Sequence, residues 1–110
     1  MKIIEKDNYK ILKDEKNDIA GFANYMSQNH SIFKEDNVIV DVLKKGDLEL
    51  EELLMFLEIS NIHRAEKKSF VIVNDAINID QVPEELIVVP TLLEATDIIK
   101  MEELERELGF

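Results

Sequence analysis

Three short stretches of the chain, residues 38–42 (Val-Ile-Val-Asp-Val), 70–73 (Phe-Val-Ile-Val) and 86–89 (Leu-Ile-Val-Val), are rich in β-branched residues and almost wholly apolar. They lack the in–out alternation of a strand with one wet face. Such runs are strands covered on both sides, which implies a parallel sheet with helices above and below. Between them the apolar spacing changes to the helical period. Residues 19–30 put Ile19, Phe22, Ala23, Met26 and, one turn on, His30 along one side, with Asn17 or Asp18 available as the N-cap. Residues 47–65 carry Leu50, Leu53, Leu54, Leu57 and Ile62 as the apolar stripe of a single helix capped by Asp47. In that helix Asp47, Glu49, Glu51 and Glu52 crowd the start, while Arg64, Lys67 and Lys68 gather at or beyond the end, which complements the helix dipole.

Residues 2–5 and 9–13 predict two further strands joined by a hairpin-type turn at Lys6-Asp7-Asn8. Thr91 and Glu94 form the pattern of a capping box, and the helix it opens runs from Leu92 through Ile98, Ile99 and Leu104 to Gly109. The stretch 76–85 has no firm period and supports at most one helical turn near Val82-Pro83-Glu84-Glu85. The predicted order is therefore ββαβαββα, with the third helix reduced to a turn or absent. It specifies an α/β fold with a mixed sheet of about five strands and flanking helices.

The 110 residues suit one domain, and 45% apolar content with three Gly and two Pro is the composition of a packed protein. The absence of cysteine removes disulfides, thiolate metal sites and cysteine nucleophiles. The first residues contain no signal-like apolar stretch, and no apolar run reaches the roughly 18 residues of a membrane span, so the expected location is the cytoplasm. Thirteen basic against 24 acidic residues give a net charge of −11, a field that opposes direct nucleic-acid binding. The acids either solubilise the surface or form a docking face for a basic partner.

The strand 38–42, the capped helix that ends at Arg64, the strand at 69–73 and the text Val89-Pro90-Thr91-Leu92-Leu93-Glu94-Ala95 resemble the STAS family of anti-sigma factor antagonists. The resemblance covers about residues 2–100 and implies a STAS-like fold that acts through protein–protein contact. In the antagonist branch, an Asp-Ser-Ser/Thr-Gly motif at a helix start carries a hydroxyl that a kinase phosphorylates. Aligned without a gap, the motif falls on Glu49-Leu50-Glu51-Glu52, which has neither the hydroxyl nor the Gly. The resemblance thus implies a module without the phosphorylation switch. Glu51 is a favourable anion on a first helical turn, or else an imitation of the phosphorylated state. The ends Val88 to Ala95 and Glu103 to Phe110 are also similar to short STAS-like proteins that sometimes carry the label ribonuclease Z. The two-zinc nuclease has a dense His and Asp motif that this chain lacks, so the label implies at most association with such an enzyme.

Catalytic chemistry finds little support. The only histidines, His30 and His63, fall in no metal-ligand spacing, and His63 is expected as a partly exposed residue at a helix end. No serine sits in a nucleophile elbow, and the three glycines are isolated from one another. The remaining place for a ligand is the cleft beyond the strand ends, where Asp41, Asn74, Asp75 and Thr91 would gather, although turn and cap duties account for them as well. The expectation is a non-enzymatic module without metal or cofactor that binds a basic protein partner through Asp47, Glu49, Leu50, Glu51, Glu52 and Glu58. Two alternatives stand beside it: an accessory subunit of an RNA-processing nuclease, and a small-ligand sensor that uses the strand-end cleft.

Overall fold

The computed structural model describes residues 1–109; the Phe110 end of the resembling C-terminal text lies outside them. Five strands, β1 (Lys2–Glu5), β2 (Lys10–Lys13), β3 (Val38–Asp41), β4 (Phe70–Val73) and β5 (Ile87–Val89), form one sheet in the order β1-β2-β3-β4-β5. β1 is antiparallel to β2, as a hairpin requires, and β2, β3, β4 and β5 run parallel. Register pairs Val38 with Phe70 and Val40 with Ile72. The mixed sheet expected from the apolar runs is present.

Because side chains alternate along a strand, each apolar run feeds both faces. Leu12, Val38, Val40, Phe70, Ile72 and Val88 point to one face, and Ile11, Ile39, Val71 and Val73 to the other. The first face is covered by α1 (Ile19–Gln28), α2 (Leu50–Leu54) and α3 (Leu57–Ala65), which contribute Phe22, Met26, Leu53 and Ile59, with Phe56 added from the junction of α2 and α3. The rings of Phe22 and Phe56 meet edge to face with centroids 6.0 Å apart. Among the described residues the second face is covered by α4 alone (Leu92–Glu107), through Ala95 and Ile99.

The caps explain where helices begin. Asp18 takes the N-cap of α1, its Oδ1 accepting from Gly21 N–H at 3.1 Å, and Thr91 Oγ1 accepts from Glu94 N–H at 3.1 Å to open α4. Three sequence expectations are corrected. The single helix over 47–65 is two helices interrupted at Met55 and Phe56, and its cap is Glu49 rather than Asp47. Residue 30 lies on a 3₁₀ turn (His30–Ile32) after α1 rather than on the helix. The weak stretch between β4 and β5 contains one 3₁₀ turn, but at Ile79–Gln81, where Asn78 Oδ1 accepts from Asp80 N–H, and not at residues 82–85.

Candidate functional site

After β3, a 3₁₀ turn (Leu43–Lys45) leads to Gly46, whose φ of +68° is cheap only for glycine. The buried Leu48 then anchors the chain to the core before α2 begins. Glu52 reaches back from N3, its Oε1 accepting from Glu49 N–H at 3.0 Å, while its Oε2 lies 3.5 Å from Lys45 Nζ. Glu49 and Glu52 therefore already serve the helix start. Leu50 is half-buried against the core. Of the residues expected to bind a partner, Asp47, Glu49, Glu51 and Glu58 are exposed, and Glu52 is held from both sides.

The expected apolar stripe of this segment is also corrected. Its buried line is Leu53, Phe56, Ile59, Ser60 and His63, whereas Leu54 and Ile62 are exposed. The segment has more apolar residues than one face can bury. What remains outside is a ridge: Glu51, Met55, Glu58 and Ile62 follow one another at intervals of four, three and four residues, all exposed, with Leu54 beside them. Met55 (φ −63°, ψ −19°) and Phe56 (φ −91°, ψ −6°) at the break stay in the right-handed helical region, so this spacing still keeps the side chains on one side. Three large apolar side chains among acids thus face water on the side away from the sheet.

At the strand ends, the cleft residues hold the backbone of their own loops. The buried Asn74 spends both amide atoms on it: Nδ2 donates to Val42 O (3.2 Å) and Gly46 O (2.9 Å), and Oδ1 accepts from Ala76 N–H and Ile77 N–H, both at 3.0 Å. The buried Asp41 accepts from Leu43 N–H at 3.1 Å through Oδ1. Thr91 is the cap of α4, and Asp75 is exposed. The polar groups join the β3 and β4 loops together and thereby set the position at which α2 starts. Across from that start, Ala76, Ile77, Asn78 and Gln81 form the other wall of a groove that has Asp47, Glu49 and Glu51 on its near side.

One arrangement was not foreseen. His63 is fully buried rather than partly exposed, and its Nδ1 lies 2.9 Å from His30 Nε2 while its Nε2 lies 2.7 Å from Asp36 O. A carbonyl only accepts, so His63 donates from Nε2; as a neutral imidazole it then accepts at Nδ1 from His30 Nε2–H. Both rings pack against Phe33, and His63 also meets Phe70. Burial lowers the His63 pKa to about 4, the hydrogen bond to the Asp36 carbonyl opposing that fall and His30 reinforcing it. Burial lowers His30 as well. The signal was in the sequence: His63 lies four residues after Ile59 and seven after Phe56, on the buried period. Among the described residues no group of three or more His, Asp or Glu side chains is placed to hold a metal ion.

Among the described residues, no helix is long and apolar enough to cross a membrane. The chain matches no family model, and it matches none of the curated proteins with which it was compared.

Proposed function

We propose that the chain is a STAS-like, non-enzymatic regulatory or adaptor module that docks a cytoplasmic protein with a basic surface on the outer side of α2 and α3. The observation that carries this reading is the ridge of Glu51, Met55, Glu58 and Ile62 with Leu54 alongside. Clustered exposed apolar side chains at a surface are characteristic of contact sites, and the acids among them steer a basic partner, chiefly through the association rate. The STAS assignment itself rests on the sequence motifs, with which the element order is compatible.

The helix start at the switch-equivalent position is served by carboxylates, since Glu52 accepts from Glu49 N–H and the residues between them are Leu50 and Glu51. Regulation on this reading comes from availability of the partner rather than from phosphorylation of this turn. The test is capture of the native partner by the intact chain, followed by Met55→Ser with Ile62→Ser and, separately, Glu51→Lys with Glu58→Lys. The apolar pair is expected to weaken the complex about tenfold or more, and the charge reversals to remove most of its dependence on ionic strength. Capture indifferent to all four substitutions and to salt ends the reading, as does a stoichiometric phosphate on this chain.

A further inference from the structure

α4 carries apolar residues on two opposite sides, and only one of them meets the sheet. Ala95 and Ile99 are buried under it, while Leu93 is 72% exposed, Met101 57%, Leu104 56% and Leu108 64%. At about 100° of turn per residue, Leu93, Asp97, Met101, Leu104 and Leu108 fall within an arc of roughly 80°, centred opposite Ala95 and Ile99. The stripe runs roughly 22 Å along the helix, at 1.5 Å per residue. Among the described residues no other element covers it, and α4 is the one helix on its face of the sheet.

The charges around the stripe restrict what can cover it. Asp97 interrupts it, the exposed Glu94 and Glu105 flank one side, and Lys100 and Glu107 lie on the other. A second copy is a poor occupant. An antiparallel pair centred on Met101 sets Asp97 against Glu105 of the other copy, a parallel pair sets Asp97 against Asp97, and each chain brings a net charge of −11. Like charges placed opposite one another across an interface disfavour it. An anionic lipid surface is repelled for the same reason.

We propose that the outer stripe of α4 is a docking surface for an amphipathic helix of a partner protein, with an apolar line of about four turns flanked by Lys and Arg. Its observation is separate from the α2–α3 ridge and stands whether or not that ridge binds. The two surfaces lie on opposite faces of the sheet, so both can be occupied at once, and the chain then links two partners.

The experiment uses the intact isotope-labelled chain and a synthetic helical peptide of about 18 residues, built from Leu and Lys with all Leu on one side. A peptide of the same composition, scrambled to destroy the apolar side, is the control. The amphipathic peptide is expected to shift the amide resonances of residues 93–108 and to bind at least about tenfold more tightly than the scrambled one. Met101→Glu with Leu104→Glu should weaken that binding by about tenfold or more while the thermal midpoint stays put, since both side chains face water. Met55→Ser with Ile62→Ser should leave the shifts along α4 in place, which separates this surface from the α2–α3 ridge. Equal affinity for the scrambled peptide overturns the proposal. So do shifts that spare α4, and self-association in sedimentation that Met101→Glu with Leu104→Glu abolishes.

Discussion

The two faces of the sheet are built by different means. One is closed by α1, α2 and α3 over a cluster of seventeen buried apolar residues that includes Phe22, Phe33, Phe56 and Phe70; the other is closed by α4 over six. On the second face the apolar contact covers only the first half of the helix, through Ala95 and Ile99. Beyond that, polar contacts hold it: Arg64 donates to Glu102, and Arg106 donates to Asn37 Oδ1 and Ser69 Oγ, both at 3.2 Å. Stability and binding are therefore expected on different parts of the molecule. Apolar packing concentrates folding free energy on the first face, while α4 carries apolar residues beyond those its sheet-facing side uses.

Large-to-small substitutions give the strongest contrast. Phe56 is fully buried between α1 and the rest of the first-face cluster. Phe56→Ala should cost ~3–5 kcal/mol through lost transfer energy and a cavity. At equal chemistry, Ile59→Ala on the first face should cost more than Ile99→Ala on the second, both within ~2–5 kcal/mol, because the residual cavity is larger where packing is denser. Urea unfolding of both variants at neutral pH makes the comparison. If Ile99→Ala proves as damaging as Ile59→Ala, the second face is as strongly packed as the first and the asymmetry is wrong.

Acid should act on the first face before the second. His63 in the fold has a pKa lowered to about 4, against an ordinary value near 6.5. The folded state disfavours protonation, so the unfolded chain binds more protons between these values and stability rises with pH there. The contribution is complete above about pH 6.5, falls as pH drops towards 4 and levels off below, a loss on the order of 3 kcal/mol. The groups around the ring are His30 and Asp36 O in direct contact, with the Asp36 carboxylate and Lys68 acting through charge. Urea midpoints from pH 7.5 to 4, with the His63 ring proton followed by NMR, check the sign and the site. A ring that titrates near its ordinary value in the folded protein removes this effect.

The architecture was far more legible than the site because strands and helices are written in local period. The runs at 38–42 and 70–73 could be satisfied only by burial on both sides, and the parallel pairing of Val38 with Phe70 is the outcome. Residues 50–65 were harder because their apolar positions exceed one face. Leu54 and Ile62 competed with Phe56 and Ile59 for the inward side, and only contact with the sheet decides such a competition. Asp41, Asn74 and Thr91 could be placed at strand ends from the sequence. That the Asn74 amide is consumed by Val42, Gly46, Ala76 and Ile77 depends on how two distant loops approach. His30 and His63 are 33 residues apart, and nothing local marks them as partners.

The smallest effect concerns the polar half of α4. Arg64 Nη2 lies 3.0 Å from Glu102 Oε2, with side-chain exposures of 33% and 16%. A pair this close to water loses much of its attraction to solvent, and its ordering consumes side-chain entropy. Glu102→Gln keeps the shape and one acceptor while removing the charge, so it should cost no more than ~1 kcal/mol. That cost should shrink as salt is added. The same substitution brings no change to the first-face cluster, which lies across the sheet. Its urea midpoint should therefore move far less than that of Phe56→Ala, at low and at high salt alike. A loss comparable to Phe56→Ala would mean that α4 is fixed by its charges as firmly as α2 and α3 are by their rings, and the two faces would then differ in composition without differing in strength.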